Sequence, residues 1–349
     1  MLRRLCSGAL ILVVLTLGVR LWAAEPELVI RFSTQAPPNG QQFQTMKLFK
    51  ERVEAKSGGH IRVDIYERGK LFEDGQVAAA VSEGKVEIGH VNLSRYAETI
   101  LIADAYYLPF MFNDVTVERA SRTPQSEIRK IIDEAILKSG GARVLWWIPE
   151  GSILLLSKGT SMANPNALTG KTVRISGPTI ADTIQLCGGV PKDVAANQQP
   201  VAYASGVVDV GMTSITAVMA RDLYKAMNTI TRTGHASSNF VVVVNEKFWR
   251  SLRDDQRAIL QEAAEVADKE AARSLIEFED ATFKELEDKG VKLVSLTSRE
   301  LQLWRACSGK VLTDFLGKAG KAGEMLIEAY ARLRKDPCCN PVQQRDPND

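Results

Sequence analysis

The sequence is poor in the side chains that many enzymes use for catalysis. It has only three histidines in 349 residues, His60, His90 and His235. It lacks the Gly-x-Ser-x-Gly segment that presents a nucleophilic serine and the His-Glu-x-x-His segment that binds catalytic zinc. No pair of carboxylates shows a spacing that suggests acid–base catalysis. We therefore predict a protein that is not an enzyme and that needs no cofactor and no metal.

A large excess of charge of one sign is also missing. The chain has 44 Lys and Arg residues against 42 Asp and Glu residues, a formal net charge of +2. This balance argues against a nucleic-acid-binding protein, which is normally basic. The hydrophobic fraction of 45% and the charged fraction of 25% are those of a globular protein. The length predicts two domains, each large enough to bury a core.

Long hydrophobic runs are confined to the N-terminus. Arg3 and Arg4 precede the apolar run 8–19, and small residues follow at Ala23 and Ala24. This order predicts a secretory signal peptide, residues 1–24, and export to the periplasm. The alternative is an uncleaved membrane anchor, but the run is short for a bilayer that needs about 20 residues. Removing the segment takes away three arginines, so the mature net charge becomes −1.

Four cysteines remain after residue 24: Cys187, Cys307, Cys338 and Cys339. An even number in an exported chain permits disulfides, for example between Cys307 and one of the C-terminal pair. A zinc site is disfavoured because no histidine lies near these cysteines in the sequence. The spacing alone does not fix the pairing.

The hydrophobic pattern predicts alternating strands and helices. Apolar and polar residues alternate over 27–33 and 60–66, and the segment between them has helical spacing. Two strands joined by a helix pair in parallel, which indicates an α/β fold. Two neighbouring strands are predicted at 142–148 and 152–157. The tract 256–289, which contains neither Gly nor Pro, predicts a helix long enough to cross one domain and reach another.

The order of these elements predicts two α/β lobes that are interleaved along the chain. We assign residues 25–149 with 238–270 to lobe I, and residues 150–237 with 271–335 to lobe II. The long helix spans both lobes. The polar residues 336–349 are predicted to be a disordered tail. A cleft between two such lobes favours the binding of a small molecule by a monomer.

Several short motifs occur in a fixed order along most of the chain. They are GKL at 69–71, EGKVEIG at 83–89, LPFMF at 108–112, LTGKTVR at 168–174, GGVP at 188–191 and SGVVD at 205–209. Together they resemble the DctP-type solute-binding proteins of tripartite ATP-independent periplasmic (TRAP) transporters, over about residues 27–330. The resemblance implies a two-lobed, type II-like periplasmic binding protein that captures a small organic acid. It also implies delivery to the small and large integral membrane subunits of such a transporter.

The same resemblance implies which residue holds the ligand. The family's carboxylate-binding arginine falls on Arg174, and a guanidinium suits this role because it binds a carboxylate with two hydrogen bonds. The alternative is an arginine in a structural salt bridge. Many relatives have a second arginine after a glycine, but here Ser152 and Ile153 follow Gly151. Gln198 stands where a glutamate is usual. A dicarboxylate, sialic-acid-like or metal-bridged ligand is therefore less well supported.

Further ligand-binding candidates lie near the ends of predicted strands. Thr213 and Ser214 offer hydroxyl groups, and one of the two neighbouring tryptophans, Trp147, offers a ring for stacking. Asn92 and Glu150 offer polar groups. The remaining candidates are Gln35, His235 and Phe240.

Two other functions would use the same cleft. A binding protein can report to a membrane receptor without transport, and an exported enzyme can bind its substrate between two lobes. The scarcity of histidine and of catalytic motifs disfavours the enzyme.

Overall fold

The computed structural model describes residues 25–337 and 339. The predicted signal peptide and most of the predicted tail lie outside the described residues. Within the described part of the chain, no helix is both long enough and apolar enough to span a bilayer.

Helices and strands alternate along the chain as the hydrophobic pattern predicts. The strands are β1 (Leu28–Ser33), β2 (Ile61–Tyr66), β3 (Ile88–Asn92), β4 (Ala142–Ser157), β5 (Thr172–Ile175), β6 (Val190–Asp193), β7 (Gly211–Ser214), β8 (Thr229–Arg232), β9 (Ser237–Asn245) and β10 (Lys292–Ser295). The α-helices are α1 (Gln41–Lys56), α2 (Val77–Ser82), α3 (Val115–Ser121), α4 (Glu127–Gly140), α5 (Pro178–Leu186), α6 (Gln199–Ser205), α7 (Ile215–Ala220), α8 (Glu246–Ser251), α9 (Asp254–Asp288), α10 (Ser298–Ser308) and α11 (Val311–Leu333). Short 3₁₀ helices include Leu93–Tyr96 and Leu101–Tyr107.

A mixed sheet of eight strands runs through both lobes. Its order is β10-β8-β4-β9-β3-β1-β2, and β7 also pairs with β4. Strand β1 is parallel to β2 and β3, which agrees with the predicted βαβ crossover. Strand β9 runs antiparallel to both β3 and β4. Strands β5 and β6 form a separate parallel pair.

Strand β4 connects the two lobes. The sequence predicts two strands here, but the structure has one strand of 16 residues. Its first part pairs with β9, and residues 153–157 pair with β7 and β8. The chain bends at Gly151, whose φ of 81° is open to glycine and strained for other residues. The pairing register shifts between Pro149 and Gly151, so the bend interrupts the ladder without ending the strand.

Lobe I buries side chains on both faces of its sheet. Trp146 packs against Phe49 of α1 on one face, with ring centroids 4.8 Å apart. Trp147 packs against Tyr106 on the other face, at 5.8 Å. Successive residues of a strand face opposite sides, so the two tryptophans belong to separate core clusters.

Lobe II repeats this arrangement with smaller side chains. Leu155 belongs to the cluster around Trp304 of α10, whereas Leu154 belongs to the cluster around Tyr203 of α6. Helix α9 contributes Leu260 to the core of lobe I and Leu286 to the core of lobe II. The predicted long helix that spans both lobes is therefore confirmed.

Helix α11 lies against lobe I. Its residues Phe315 and Leu326 share a core cluster with Tyr106 and Ile132, although the sequence assigns residues 311–333 to lobe II. The lobe boundaries themselves stay a prediction.

A disulfide joins Cys187 at the end of α5 to Cys307 of α10. The suggested pairing of Cys307 with a C-terminal cysteine is therefore wrong. Helix α10 packs on α5, which brings the two Cα atoms to 5.1 Å, within the range that a disulfide spans.

Candidate functional site

A small cavity lies between the lobes, where β3, β4, β5, β7 and β9 come together. Its volume is about 20 Å³, which is room for roughly one water molecule. Lobe I and lobe II both contribute to its walls, which are mostly polar. The lining residues are Asp74, Asn92, Tyr107, Glu150, Ile153, Arg174, Ser176, Ala196, Gln199, Thr213, Arg221, Ser238 and Phe240.

Arg174 enters this cavity from strand β5. Its side chain is buried, and backbone atoms fix it: Nε donates to the carbonyl of Val194 at 3.0 Å and Nη1 donates to the carbonyl of Met212 at 2.9 Å. Within residues 25–337 and 339, no carboxylate oxygen lies within 4.0 Å of the guanidinium. The structural salt bridge considered from the sequence therefore has no partner in the described chain. The fixed guanidinium can donate its remaining N–H groups to a ligand.

Glu150 lies at the bend of β4, on the wall of the same cavity. Its Oε2 accepts a hydrogen bond from Ser238 Oγ at 3.0 Å, and its Oε1 accepts one from Gln42 Nε2. Burial raises the pKa of the Glu150 carboxyl, and the charge of Arg221 acts in the opposite direction. The carboxylate can accept hydrogen bonds from a ligand.

Arg221 is a second cavity arginine that the sequence reasoning missed. It follows helix α7, and among the described residues its guanidinium has no hydrogen-bond acceptor and no ion-pair partner. Burial lowers the pKa of Arg221, the charge of Glu150 raises it, and the neighbouring Arg174 lowers it. The sequence comparison with relatives places a second arginine after Gly151, on β4, whereas Arg221 lies at the end of helix α7. The available signal is its position seven residues, two helical turns, after Ser214.

Comparison with known proteins agrees with this architecture. Residues 32–318 match the family model DctP, described as bacterial extracellular solute-binding protein, family 7. The chain belongs to the DctP family. Its members are the periplasmic solute-binding subunits of TRAP transporters. The predicted function, a periplasmic solute-binding subunit of such a transporter, is therefore confirmed.

Other DctP proteins cover nearly the same length. The chain is 23% identical over 305 residues to the C4-dicarboxylate-binding periplasmic protein DctP of Shewanella loihica, covering 86% of this chain and 88% of that one. A TRAP solute-binding protein of Sulfurospirillum deleyianum with bound succinate has a TM-score of 0.82 at 18% identity, covering 88% of this chain and 99% of that one. DctP6 of Bordetella pertussis, a receptor binding pyroglutamic acid, has a TM-score of 0.79 at 19% identity, covering 87% and 99%. These matches confirm the two-lobed α/β fold and the family resemblance of the motifs.

Three more of the sequence-based candidates line the cavity of this DctP protein. Asn92 and Phe240 belong to lobe I, and Thr213 belongs to lobe II. The ring of Phe240 stacks on His90, with centroids 4.4 Å apart, so it both closes the cavity and packs into lobe I. The residue next to Gln198, Gln199, is also in the cavity, and its Oε1 has no hydrogen-bond donor in the described chain.

Two candidates lie next to the cavity without lining it. Ser214 caps helix α7, with its Oγ accepting from the backbone N–H of Ala217. Gln35 lies at a wider opening between the lobes, where its Nε2 donates to the carbonyl of Phe72 at 2.8 Å. Ser214 Oγ and the amide nitrogen of Gln35 therefore have protein partners, whereas Gln35 Oε1 has no hydrogen-bond donor in the described chain.

Trp147 and His235 do not contribute to the cavity. Side chains alternate along β4, so Trp147 lies on the face of the lobe I sheet opposite to the cavity residue Phe240. Its Nε1 donates to Asp133 Oδ1 at 2.8 Å. His235 stacks on Trp304 in the core of lobe II, with centroids 5.8 Å apart. Burial lowers the pKa of His235 to about 4, so the ring is neutral at pH 7.

Several polar contacts join the two lobes around the cavity. Arg95 of lobe I binds Asp74 at 2.6 Å and Asp193 of lobe II at 2.8 Å. Asp104 of lobe I accepts a hydrogen bond from the backbone N–H of Thr179, in the first turn of α5, at 2.8 Å. These contacts hold the lobes closed over the cavity. Among the described residues, no three His, Cys, Asp or Glu side chains converge as metal ligands.

We expect the Asp104→Asn variant to gain stability relative to the wild type as the pH rises. Burial raises the pKa of Asp104 to about 7, from an ordinary value of 3.8. The folded state therefore binds a proton more tightly than the unfolded state, and the stability of the wild type is lost progressively between about pH 4 and 7. Asparagine carries no such proton. The measurement is the free energy of unfolding in urea for both proteins at pH 5 and pH 8.

Asp288→Asn serves as the control, because Asp288 is exposed at the end of α9. A difference between wild type and Asp104→Asn that is the same at both pH values would contradict the expectation.

Proposed function

We propose that this protein binds a small organic acid in the cavity between the lobes, with the ligand carboxylate on Arg174. It then delivers the acid, as a periplasmic monomer, to the membrane subunits of a TRAP transporter. The observation that carries the proposal is the guanidinium of Arg174, which is buried, fixed by two backbone carbonyls and not paired with a carboxylate in the described chain. A buried cation without a counter-charge favours an anionic ligand.

Closure of the lobes is part of this function. The cavity is enclosed by residues of both lobes, and Arg95, Asp104 and Asn39 make contacts between the lobes at its rim. An acid larger than a water molecule can enter only when these contacts open. Ligand binding and lobe closure are therefore coupled: the ligand stabilises the closed state to the extent that it binds that state more tightly.

The test begins with residues 25–349 purified under native conditions. Mass spectrometry identifies any acid that co-purifies, and a thermal-shift panel of mono- and dicarboxylic acids follows. A ligand at 100 times its dissociation constant is expected to stabilise the protein by about 2.7 kcal/mol. If no acid co-purifies and none raises the unfolding temperature, the proposal is wrong. Chemical conversion of the bound acid would instead identify an enzyme.

A further inference from the structure

The charged groups of the cavity do not cancel. Arg174 and Arg221 are both without an ion pair in the described chain, and Glu150 is the carboxylate whose charge acts most strongly on Arg221. The other carboxylate of the lining, Asp74, is already paired with Arg95, at 2.6 Å. Arg95 in turn binds Asp193 at 2.8 Å. The side chain of Asp193 is half exposed, so solvent screens its charge and Arg95 neutralises the buried Asp74. With the pair of Arg95 and Asp74 set aside, the cavity has two positive groups and one negative group, a net charge of +1.

The hydrogen bonds around Glu150 favour its ionised form, in opposition to burial, which raises the pKa of the carboxyl. The backbone N–H of Ser94 donates to Asn92 Oδ1 at 2.9 Å, so the Asn92 amide nitrogen faces Ser238 and donates to its Oγ. The hydroxyl hydrogen of Ser238 is then directed to Glu150 Oε2 at 3.0 Å. The amide of Gln42 donates to the other oxygen. Both carboxylate oxygens act as acceptors, which is the arrangement of the charged form.

Arg221 occupies a particular place in the cleft. It lines the inner cavity together with Glu150 and also lines a wider opening to solvent of about 530 Å³. Asn39 of lobe I and Asp222 of lobe II form the rim of this opening. Arg221 therefore lies between the inner cavity and the solvent.

We propose that the cavity selects a singly charged organic acid that carries, besides its carboxylate, a neutral group able both to accept and to donate hydrogen bonds, such as an amide or a hydroxyl. This inference rests on the proposed function, since it requires that the ligand carboxylate binds Arg174. The neutral group accepts from Arg221 and donates to Glu150. Arg221 and Glu150 are then the residues that determine specificity.

Charge balance excludes the dicarboxylate as the preferred ligand. A second carboxylate would bring the enclosed site to a net charge of −1 and would lie beside Glu150. A like charge next to a buried carboxylate is unfavourable, and the protein supplies no third free cation within the described lining. A single negative charge leaves the filled site neutral.

The test uses pairs of probes that have almost the same shape and differ in charge. Each dicarboxylate is compared with its half-amide: malonate with malonamate, succinate with succinamate, and glutarate with glutaramate. Affinities are measured by calorimetry at pH 7.5. We expect the wild type to bind the best half-amide at least tenfold more tightly than the matching dicarboxylate. The Glu150→Gln variant is expected to reverse this preference, because its cavity has a charge of +2.

Two further variants complete the test. Arg221→Gln is expected to weaken half-amide binding at least tenfold. Glu98→Gln is the control for Glu150→Gln, because it makes the same change at an exposed position, and it should behave as the wild type. A dicarboxylate that binds the wild type more tightly than its half-amide would overturn the inference. An unchanged preference in Glu150→Gln would do so too, as would failure of every half-amide while other acids bind.

These outcomes are distinct from failure of the proposed function. If no acid of either charge binds, the site does not bind organic acids at all. If acids bind through Arg174 without selection by charge, only the inference about Glu150 and Arg221 is lost.

Discussion

The Arg174→Gln variant is expected to bind the acid ligand at least 100-fold more weakly than the wild type. The wild-type guanidinium is buried, and two backbone carbonyls orient it before the ligand arrives. Removing one partner of a buried, hydrogen-bonded charge pair costs about 2–5 kcal/mol, and every 1.4 kcal/mol is a factor of about ten in the dissociation constant. Thermal stabilisation by the ligand should therefore disappear at concentrations that saturate the wild type.

The conservative variant Arg174→Lys separates charge from geometry. Lysine keeps the positive charge but cannot bind two carbonyl groups and a carboxylate with one planar group, so we expect weaker binding than the wild type. Arg62→Gln is a matched control at an exposed position on β2. The free energy of unfolding without ligand is measured for each variant, because Arg174 also donates to Val194 and Met212. Unchanged affinity in Arg174→Gln would show that the ligand carboxylate does not bind Arg174.

The sequence allows the architecture to be predicted because burial repeats with the period of each element. The alternation over 27–33 and 60–66 corresponds to β1 and β2, which pair in parallel. The tract without Gly or Pro corresponds to α9, with Leu260 and Leu286 in the cores of different lobes. These patterns are local, so one sequence is sufficient to detect them.

The cavity residues are harder to predict because they depend on contacts between distant segments. The sequence does not show which of Trp146 and Trp147 faces the cleft, and in the structure both rings are buried in lobe I. Arg221 is 47 residues from Arg174, and only the packing of α7 against β4 and β7 brings it to the same cavity. The family motif identifies the arginine on the strand, and no motif marks the arginine at the helix end.

Reduction of the disulfide between Cys187 and Cys307 is expected to lower the free energy of unfolding by about 4 kcal/mol. The two cysteines are 120 residues apart, and a crosslink that closes so long a loop removes much of the freedom of the unfolded chain. Urea unfolding of the oxidised protein is compared with that of the reduced protein and of the Cys187→Ser/Cys307→Ser variant. Equal midpoints in urea for all three would contradict the expectation.

Ligand affinity should change much less than stability when this disulfide is removed, because other contacts hold α10 on lobe II in the folded state. Trp304 of α10 is buried, its Nε1 donates to the carbonyl of Ala163 at 2.9 Å, and its ring stacks on His235. The disulfide therefore acts mainly on the unfolded chain. Strand β5, which carries Arg174, is held independently by β6 and by hydrogen bonds to the segment before β7. A large loss of affinity on reduction would instead show that the crosslink shapes the cavity through α5.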